Sequence, residues 1–274
     1  MSKYSYKVDP SKYTKGYFFD DTYAGSKQFK EDLKQLASSV NHIYKKIPVT
    51  TCGKSFLDAG CGKGELLVFM KRKGYAVFGI DYSNEAVTIA KKLMKQYRIP
   101  AVVKRKDVRD TSFPNSKFDY VISTDLVEHL DDNVAVVDFF NESYRVLKKG
   151  GTLYVHTAPN TLYIDYFTKY YFRYINYMFI KLINIIFHKT IPVTLDLRSL
   201  YDKQFHVNEQ TYESMLNNIK KSKFSNFSIE LFSDPFEFNP IKLPYYLIAY
   251  LYPMNKIFPL SIVLANHIYL TAEK

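Results

Sequence analysis

Phe56-Leu57-Asp58-Ala59-Gly60-Cys61-Gly62-Lys63-Gly64-Glu65 holds the most informative pattern in the chain. The apolar residues ahead of Asp58 suit a buried strand, and Glu65 opens a helix that runs to the neighbourhood of Arg72. The turn between them is so tight that side chains would obstruct it. Gly60, Gly62 and Gly64 let the backbone bend and come close to a ligand. That ligand would lie against the helix N-terminus, at the carboxyl edge of a sheet. Asp81 ends the next strand about 20 residues further on, where a carboxylate can accept hydrogen bonds from both ribose hydroxyls.

The spacing Gly60-x-Gly62-x-Gly64 is not the G-x-G-x-x-G of dinucleotide enzymes. Asp58 also sits immediately before the turn, where it would repel a pyrophosphate. A sulfonium amino acid has no phosphate, and it carries an amine that a carboxylate suits. The charges therefore favour S-adenosylmethionine over NAD.

Outward from this turn, short apolar runs alternate with helical stretches. Strands are expected at Ser55–Leu57, Tyr75–Ile80, Ala101–Lys106, Phe118–Ser123 and Thr152–Thr157. Ser83 is a plausible N-cap for a helix carrying Val87, Ala90, Met94 and Tyr97 on one face. Another helix is expected over 133–147, with Lys148 and Lys149 at its negative end and Gly150-Gly151 closing it. Ahead of these, residues 27–46 place Phe29, Leu33, Leu36, Val40 and Ile43 at helical spacing. Later, a helix over 208–221 and strands Phe227–Phe232 and Ile262–Thr271 complete the pattern. Strands separated by helices imply a parallel sheet with right-handed crossovers, an α/β doubly wound fold.

The chain has 274 residues, which suits one domain with an insertion, and 47% hydrophobic content excludes a largely disordered protein. The division expected is an N-terminal helical extension (1–50), a cofactor-binding core (51–160), an aromatic helical insertion (161–207) and a closing helix with strands (208–274). The net charge is +11, but lysines are scattered among Ile, Asn and Tyr, so a solvated surface and a functional basic surface both fit. Cys52 and Cys61 have no zinc spacing, and Cys61 falls inside the glycine turn; a reducing, cytoplasmic compartment is expected. The first residues lack the apolar core of a signal peptide.

The run DAGCGKG, then GIDYS at 79–83, KDV at 106–108, FDYVISTDLVEHL at 118–130 and LKKGGTLYVHTAPN at 147–160 resemble the ordered motifs of class I S-adenosylmethionine-dependent methyltransferases. They are most similar to the small-molecule branch of ubiquinone-type and sugar or lipopolysaccharide O-methyltransferases. The resemblance implies a Rossmann-like sheet of seven strands, mostly parallel, with the last antiparallel. It also implies that Asp58, Gly60 and Gly62 hold the methionine part and that Asp81 and Tyr82 lie at the ribose. Asp107 and the backbone of Val108 would meet the adenine, and Thr124 and Asp125 would line the sulfonium end. Tyr13, Tyr17 and Tyr23 either close over the cofactor or pack against the first helix, and the second is favoured.

An oxygen acceptor must lose a proton, which calls for a base. His129 lies in the loop after the fourth strand, at the functional edge, and either acts as that base or orients the loop. His206 precedes the last helix and can come over the acceptor. His156 lies within a strand and is expected to be a packed core residue. Asp125, Glu128 and His129 form a D-x-x-E-H cluster. In ubiquinone-type enzymes an E-x-x-E-H cluster is associated with a divalent metal. Glu128 and His129 equally cap a helix, and no further ligand is evident, so no metal is expected here.

In the insertion, Phe167, Tyr171, Tyr174, Met178, Leu182 and Ile185 follow helical spacing, beside a narrow polar stripe of Lys169, Arg173, Asn176, Asn184 and His188. Arg173 and Lys181 argue against a membrane span. A peripheral membrane contact through 161–190, a lid over a hydrophobic acceptor, a dimer surface and a covering helix pair all remain open. The acceptor expected is a small or lipid-linked molecule, methylated at oxygen. RNA methylation and a non-catalytic interaction module are the alternatives. Nucleic acid is disfavoured, with no appended RNA-binding module and no N-P-P-Y tetrapeptide. A non-catalytic role is disfavoured by the presence of Asp58, Asp81 and Asp107.

Overall fold

A computed structural model describes residue 4 and residues 6–19, 38–51, 53–162, 172–188, 200–232 and 261–274. Seven strands form one sheet: β1 (Ser55–Ala59), β2 (Ala76–Asp81), β3 (Val102–Arg105), β4 (Phe118–Thr124), β5 (Leu147–Thr157), β6 (Asn226–Phe232) and β7 (His267–Glu273). Their order is β3-β2-β1-β4-β5-β7-β6, and β7 runs opposite to the other six strands. The order reverses between β1 and β4. In a doubly wound sheet the crevice beyond the carboxyl ends of such a pair is where ligands bind.

The central strands β1 and β4 are largely buried because both faces of the sheet are covered there. Phe56 packs with Leu67, Met70, Tyr75, Val77, Val87 and Ile122 on one face. Leu57, one residue on, packs with Val121, Phe139, Phe140, Leu153 and Leu270 on the other. The helices behind these contacts are α3 (Glu65–Arg72), α4 (Asn84–Gln96) and α5 (Asn133–Val146). The Ser83 hydroxyl accepts from Ala86 N and caps α4 as expected. The remaining helices are α1 (Lys15–Phe19), α2 (Ser38–Lys46), α6 (Phe172–Ile186), α7 (Leu200–Phe205), α8 (Tyr212–Lys221) and the single turn α9 (Ser261–Leu264).

Three boundaries differ from the sequence expectation. The helix α5 ends at Val146, and Leu147, extended and buried, pairs with Phe118 as the first residue of β5. Lys148 to Gly151 then form an irregularity inside the strand before regular pairing resumes at Thr152, with Gly150 N bonding Lys274 O. The glycine pair thus bends a strand instead of closing a helix. The helix α8 begins at Tyr212, because Thr211 and Ser214 form a reciprocal capping box there. The last strand begins at His267, the preceding residues being spent on α9. Of the first expected helix, α2 lies within the described residues and 27–37 do not.

The insertion's helix also differs from a buried covering element. Met178, Leu182, Ile185 and Ile186 lie along one side of α6, and all four are exposed. Phe167 and Tyr171 lie outside the described residues. Among the described residues, no helix is long and apolar enough to cross a membrane.

Candidate active site

The glycine turn after β1 is fixed from two sides. Gly60 N and Cys61 N both donate to Ile80 O, which ties the turn to the end of β2. Gly60 and Gly64 have φ of +82° and +83°, a region that side chains disfavour. A Cβ on Gly60 would lie 3.0 Å from Leu126 Cδ1, and one on Gly64 would lie 3.0 Å from Ala90 Cβ. The segment after β4 therefore rests on the turn, and α4 closes against its far side.

Three charged groups surround this turn. Asp58 is buried, and no donor among the described residues reaches its carboxylate; burial, reinforced by the charge of Asp81, pushes its pKa to about 8. Asp81 accepts from Gly62 N at 3.0 Å and Ser83 N at 2.8 Å, yet burial still raises it to about 6. Lys63, which sequence reasoning passed over, is only 6% exposed, and its ammonium makes no hydrogen bond. The nearest carboxylate, on Glu65, is 3.6 Å away, and the Phe19 ring centroid is 5.5 Å away. Nothing in the sequence distinguishes a buried lysine in this loop from a solvated one.

On the β3 side, Asp107 reaches the same edge with its oxygens already engaged. Arg109 donates from N at 2.8 Å and Nε at 3.0 Å to Oδ1, and from Nη2 at 2.8 Å to Oδ2; the Tyr6 hydroxyl donates to Oδ2 at 2.9 Å. Val108 beside it is buried. The Tyr4 ring lies 4.0 Å from the Arg109 guanidinium. Tyr82 is flanked by the rings of Tyr6 and Tyr13, at 5.4 Å and 5.2 Å.

Tyr13 and Tyr17 lie at the cleft, while residues 27–37 of the first expected helix lie outside the described residues. Tyr13 contacts Tyr82, His129 and Phe205, and Tyr17 contacts Tyr13 and Phe205. Edge-to-face rings and a bond from the Ser83 hydroxyl to Tyr13 O hold the N-terminal segment across the cleft. Tyr23 lies outside the described residues.

Beyond β4, a tight turn over Val127–His129 carries the candidate chemical groups. Glu128 is buried and accepts from the Thr157 hydroxyl at 2.7 Å, while its carbonyl accepts from Val207 N and Asn208 N. Burial, with the charge of Asp125, raises Glu128 to about 8. His129 Nδ1 lies 3.1 Å from Phe205 O and 3.2 Å from the Tyr13 hydroxyl. A carbonyl only accepts, so Nδ1 is assigned the proton and Nε2 the lone pair. Burial, with His206 nearby, lowers His129 to about 3. The His206 ring meets His129 edge-on at 4.9 Å, as the sequence placed it.

The D-x-x-E-H cluster does not assemble as a unit. Asp125 turns to His156, their atoms 2.9 Å apart, and His206 joins Glu128 and His129 in its place. Ligand atoms of Glu128, His129 and His206 lie within 4.8 Å of one another, a spacing that a metal ion can bridge. Thr124 ends β4 half-buried, beside Asp125.

The chain is similar to known methyltransferases in sequence and in fold. Residues 57–155 match the methyltransferase domain family. A ubiquinone biosynthesis O-methyltransferase of Pelagibacter ubique is 36% identical over 113 residues, 39% of this chain and 42% of that protein. The enzyme of the same description from Actinobacillus pleuropneumoniae is 30% identical over 115 residues, 40% of this chain and 48% of that protein. The chain thus spans less than half the length of these two relatives. Among solved structures, phosphoethanolamine N-methyltransferase 2 of Haemonchus contortus aligns over 97% of this chain and 60% of its own, with a TM-score of 0.60 and 17% identity. An S-adenosylmethionine-dependent methyltransferase of Archaeoglobus fulgidus aligns over 90% of this chain and 96% of its own, with a TM-score of 0.52 and 18% identity. With its glycine turn, its three ordered carboxylates and its antiparallel seventh strand, this chain carries the domain and the fold of a class I S-adenosylmethionine-dependent methyltransferase.

Proposed function

We propose that the chain methylates an oxygen of a small or lipid-linked acceptor, such as a sugar or a polyprenyl aromatic. The observation that carries the proposal is the pair of buried groups at the glycine turn, an acid and a lysine. Among the described residues Asp58 has no donor and Lys63 no hydrogen-bonded acceptor, so the two lack what an α-amino acid zwitterion supplies. Asp58 would hold the ammonium and Lys63 the carboxylate. Asp81, already oriented by Gly62 N and Ser83 N, would bind the ribose hydroxyls, with Tyr82 alongside. Asp107 and Val108 would meet the adenine, Asp107 exchanging part of its grip on Arg109 and Tyr6.

Bound S-adenosylmethionine supplies a methyl group on a positively charged sulfur. The chain's part is to hold an acceptor oxygen in line with it and to take the oxygen's proton. His129 presents an unprotonated Nε2 for that purpose, its ring fixed by Phe205 O. A weak base suffices when the proton leaves as the new bond forms. Asp125 offsets the charge that His129 then gains.

The exposed face of α6 supports a lipid-linked acceptor. No Asp or Glu occurs between Asp165 and Asp196, while Lys169, Arg173, Lys181 and Lys189 do. Fifteen residues of helix reach about 22 Å, short of a roughly 30 Å bilayer core, so this helix would lie in the interface of an anionic membrane.

The test is calorimetric titration of S-adenosylhomocysteine, with Asp81→Ala as control and NAD as comparator. Binding that is much weaker in the variant, with none for NAD, is the expected result and directs screening to lipid-linked and sugar acceptors. No binding by folded, ligand-free protein overturns the proposal.

A further inference from the structure

Asp125, at the carboxyl end of β4, stands in front of two buried histidines. Its φ of +53° is left-handed, unusual for a residue with a side chain, and its N–H bonds His156 O at 3.2 Å. Its Oδ1 lies 2.9 Å from His156 Nδ1. The approach is oblique, meeting the distance of a charge pair but not the angle of a hydrogen bond. Behind it, His156 Nε2 lies 2.9 Å from His267 Nδ1, and the two rings stack at 5.1 Å. His156 is 1% exposed and His267 5%, whereas the Asp125 side chain is 43% exposed. The chain of polar groups thus begins inside the sheet, between β5 and β7, and ends on a carboxylate facing the cleft. Leu126, the next residue, packs on Gly60, so the backbone that carries Asp125 runs beside the glycine turn.

The donors and acceptors leave little freedom. A carboxylate at 2.9 Å from Nδ1 would repel a lone pair, so Nδ1 of His156 carries hydrogen. The 2.9 Å contact behind it needs one donor, and with hydrogen on Nδ1 alone His156 accepts at Nε2 from His267 Nδ1. His267 therefore selects the His156 tautomer that faces Asp125 with a proton. Two imidazoles inside a sheet are a costly substitute for apolar packing, which points to a task beyond filling space. The neighbouring carboxyls agree: burial raises Asp58, Asp81 and Glu128, whereas at Asp125 burial is more than offset by His156, His267 and His129 together, which hold its carboxyl low. Asp125 is the member of these four best fitted to carry a negative charge at the methyl-transfer end.

We propose that His156, set by His267, is a positioning residue that holds the Asp125 carboxylate at the cleft so that the site prefers a sulfonium ligand to its neutral thioether product. The inference rests on the methyltransferase reading above. Loss of the methyl removes one positive charge from the ligand and leaves its other contacts in place. A fixed anion nearby therefore separates substrate from product by charge, and helps the spent cofactor to leave.

The test compares the affinities of S-adenosylmethionine and S-adenosylhomocysteine in wild type, Asp125→Asn, His156→Leu, His156→Asn and Asp125→Asn/His156→Leu. Asp125→Asn and His156→Leu are each expected to shift the affinity ratio roughly tenfold toward the thioether. His156→Asn, which keeps an N–H where Nδ1 stood, is expected to retain most of the preference. The double variant is expected to lose no more than Asp125→Asn alone. A ratio unmoved by Asp125→Asn overturns the proposal, and this exposed position remains testable if His156→Leu does not fold. A folded His156→Leu protein with the wild-type ratio overturns it as well. If wild type binds neither ligand, the methyltransferase reading fails and the proposal falls with it; if wild type binds both with an insensitive ratio, the proposal fails alone.

Discussion

The carbonyl oxygen of Phe205, at the end of α7, lies 3.1 Å from Nδ1 of His129, 76 residues earlier in the chain. One backbone group from the closing half of the molecule thus decides which nitrogen of His129 can accept a proton. His206, the next residue, adds an edge-on ring that disfavours a charge on His129.

The pH dependence of this arrangement has a definite sign. Burial lowers His129 to about 3 in the folded chain, against an ordinary value of about 6.5 when unfolded. Between those values the unfolded chain binds the extra proton, so the contribution of His129 to stability is complete above pH 6.5 and is lost as pH falls toward 3. Thermal unfolding from pH 7 to pH 4 should therefore show a shallower loss of Tm in His129→Gln than in wild type. A steeper or equal loss would show that His129 is not held neutral. Methyl transfer, measured at pH 7, should fall by about 10² to 10⁴-fold in the same variant if Nε2 is the base.

Asp58 carries the opposite sign. With a folded value of about 8, it is mainly protonated at pH 7 and contributes stability below its unfolded value of about 4, which is lost as pH rises through 8. An ammonium placed against it favours the carboxylate, so cofactor binding at pH 7 should release close to one proton. Calorimetry of S-adenosylhomocysteine in buffers of different ionisation enthalpy measures that number directly. Asp58→Asn should bind with no release from this position. Equal proton release in the variant and wild type would assign the proton elsewhere.

The parts of this site that were legible in the sequence are those whose physics is local. The glycine turn was readable because positive φ and close approach demand glycine at fixed offsets, and Asp58 and Asp81 because each ends an apolar run. The parts that were not are contacts across long stretches of chain. Tyr13 over His129, Phe205 O on Nδ1 and His267 behind His156 leave no periodic trace. His156 was expected to be simple core because a strand residue with apolar neighbours looks the same whether or not its nitrogens find partners. The Gly150-Gly151 pair misled for another reason: a helix stop and a strand irregularity call for the same residue.

Lys63 offers a test that separates the two ends of the cofactor. Its buried ammonium has Glu65 at 3.6 Å and no hydrogen bond, so a carboxylate ligand would gain a charge-assisted contact there. Lys63→Met keeps the length and removes the charge. Affinity for S-adenosylhomocysteine should drop by about 10- to 100-fold, on the scale of one hydrogen bond to a charged group. Affinity for 5′-methylthioadenosine, which lacks the amino acid, should not change. A parallel loss for both ligands would mean that the substitution had disturbed the turn.

The outward face of α6 makes the last prediction. Met178, Leu182 and Ile185 are exposed along one side, and Lys181 borders them. Full burial of such side chains stabilises by about 1.5 to 3 kcal/mol each, so three of them with basic flanks suffice for reversible attachment to lipid. Wild-type protein should co-sediment with vesicles containing phosphatidylglycerol and much less with pure phosphatidylcholine, the difference shrinking as salt is raised. Leu182→Glu, at an exposed position, should abolish attachment while leaving Tm and the affinity for S-adenosylhomocysteine unchanged. If instead wild type is a dimer by light scattering and Leu182→Glu is a monomer, with no vesicle binding by either, the face belongs to a second copy of the chain and the acceptor need not be lipid-linked.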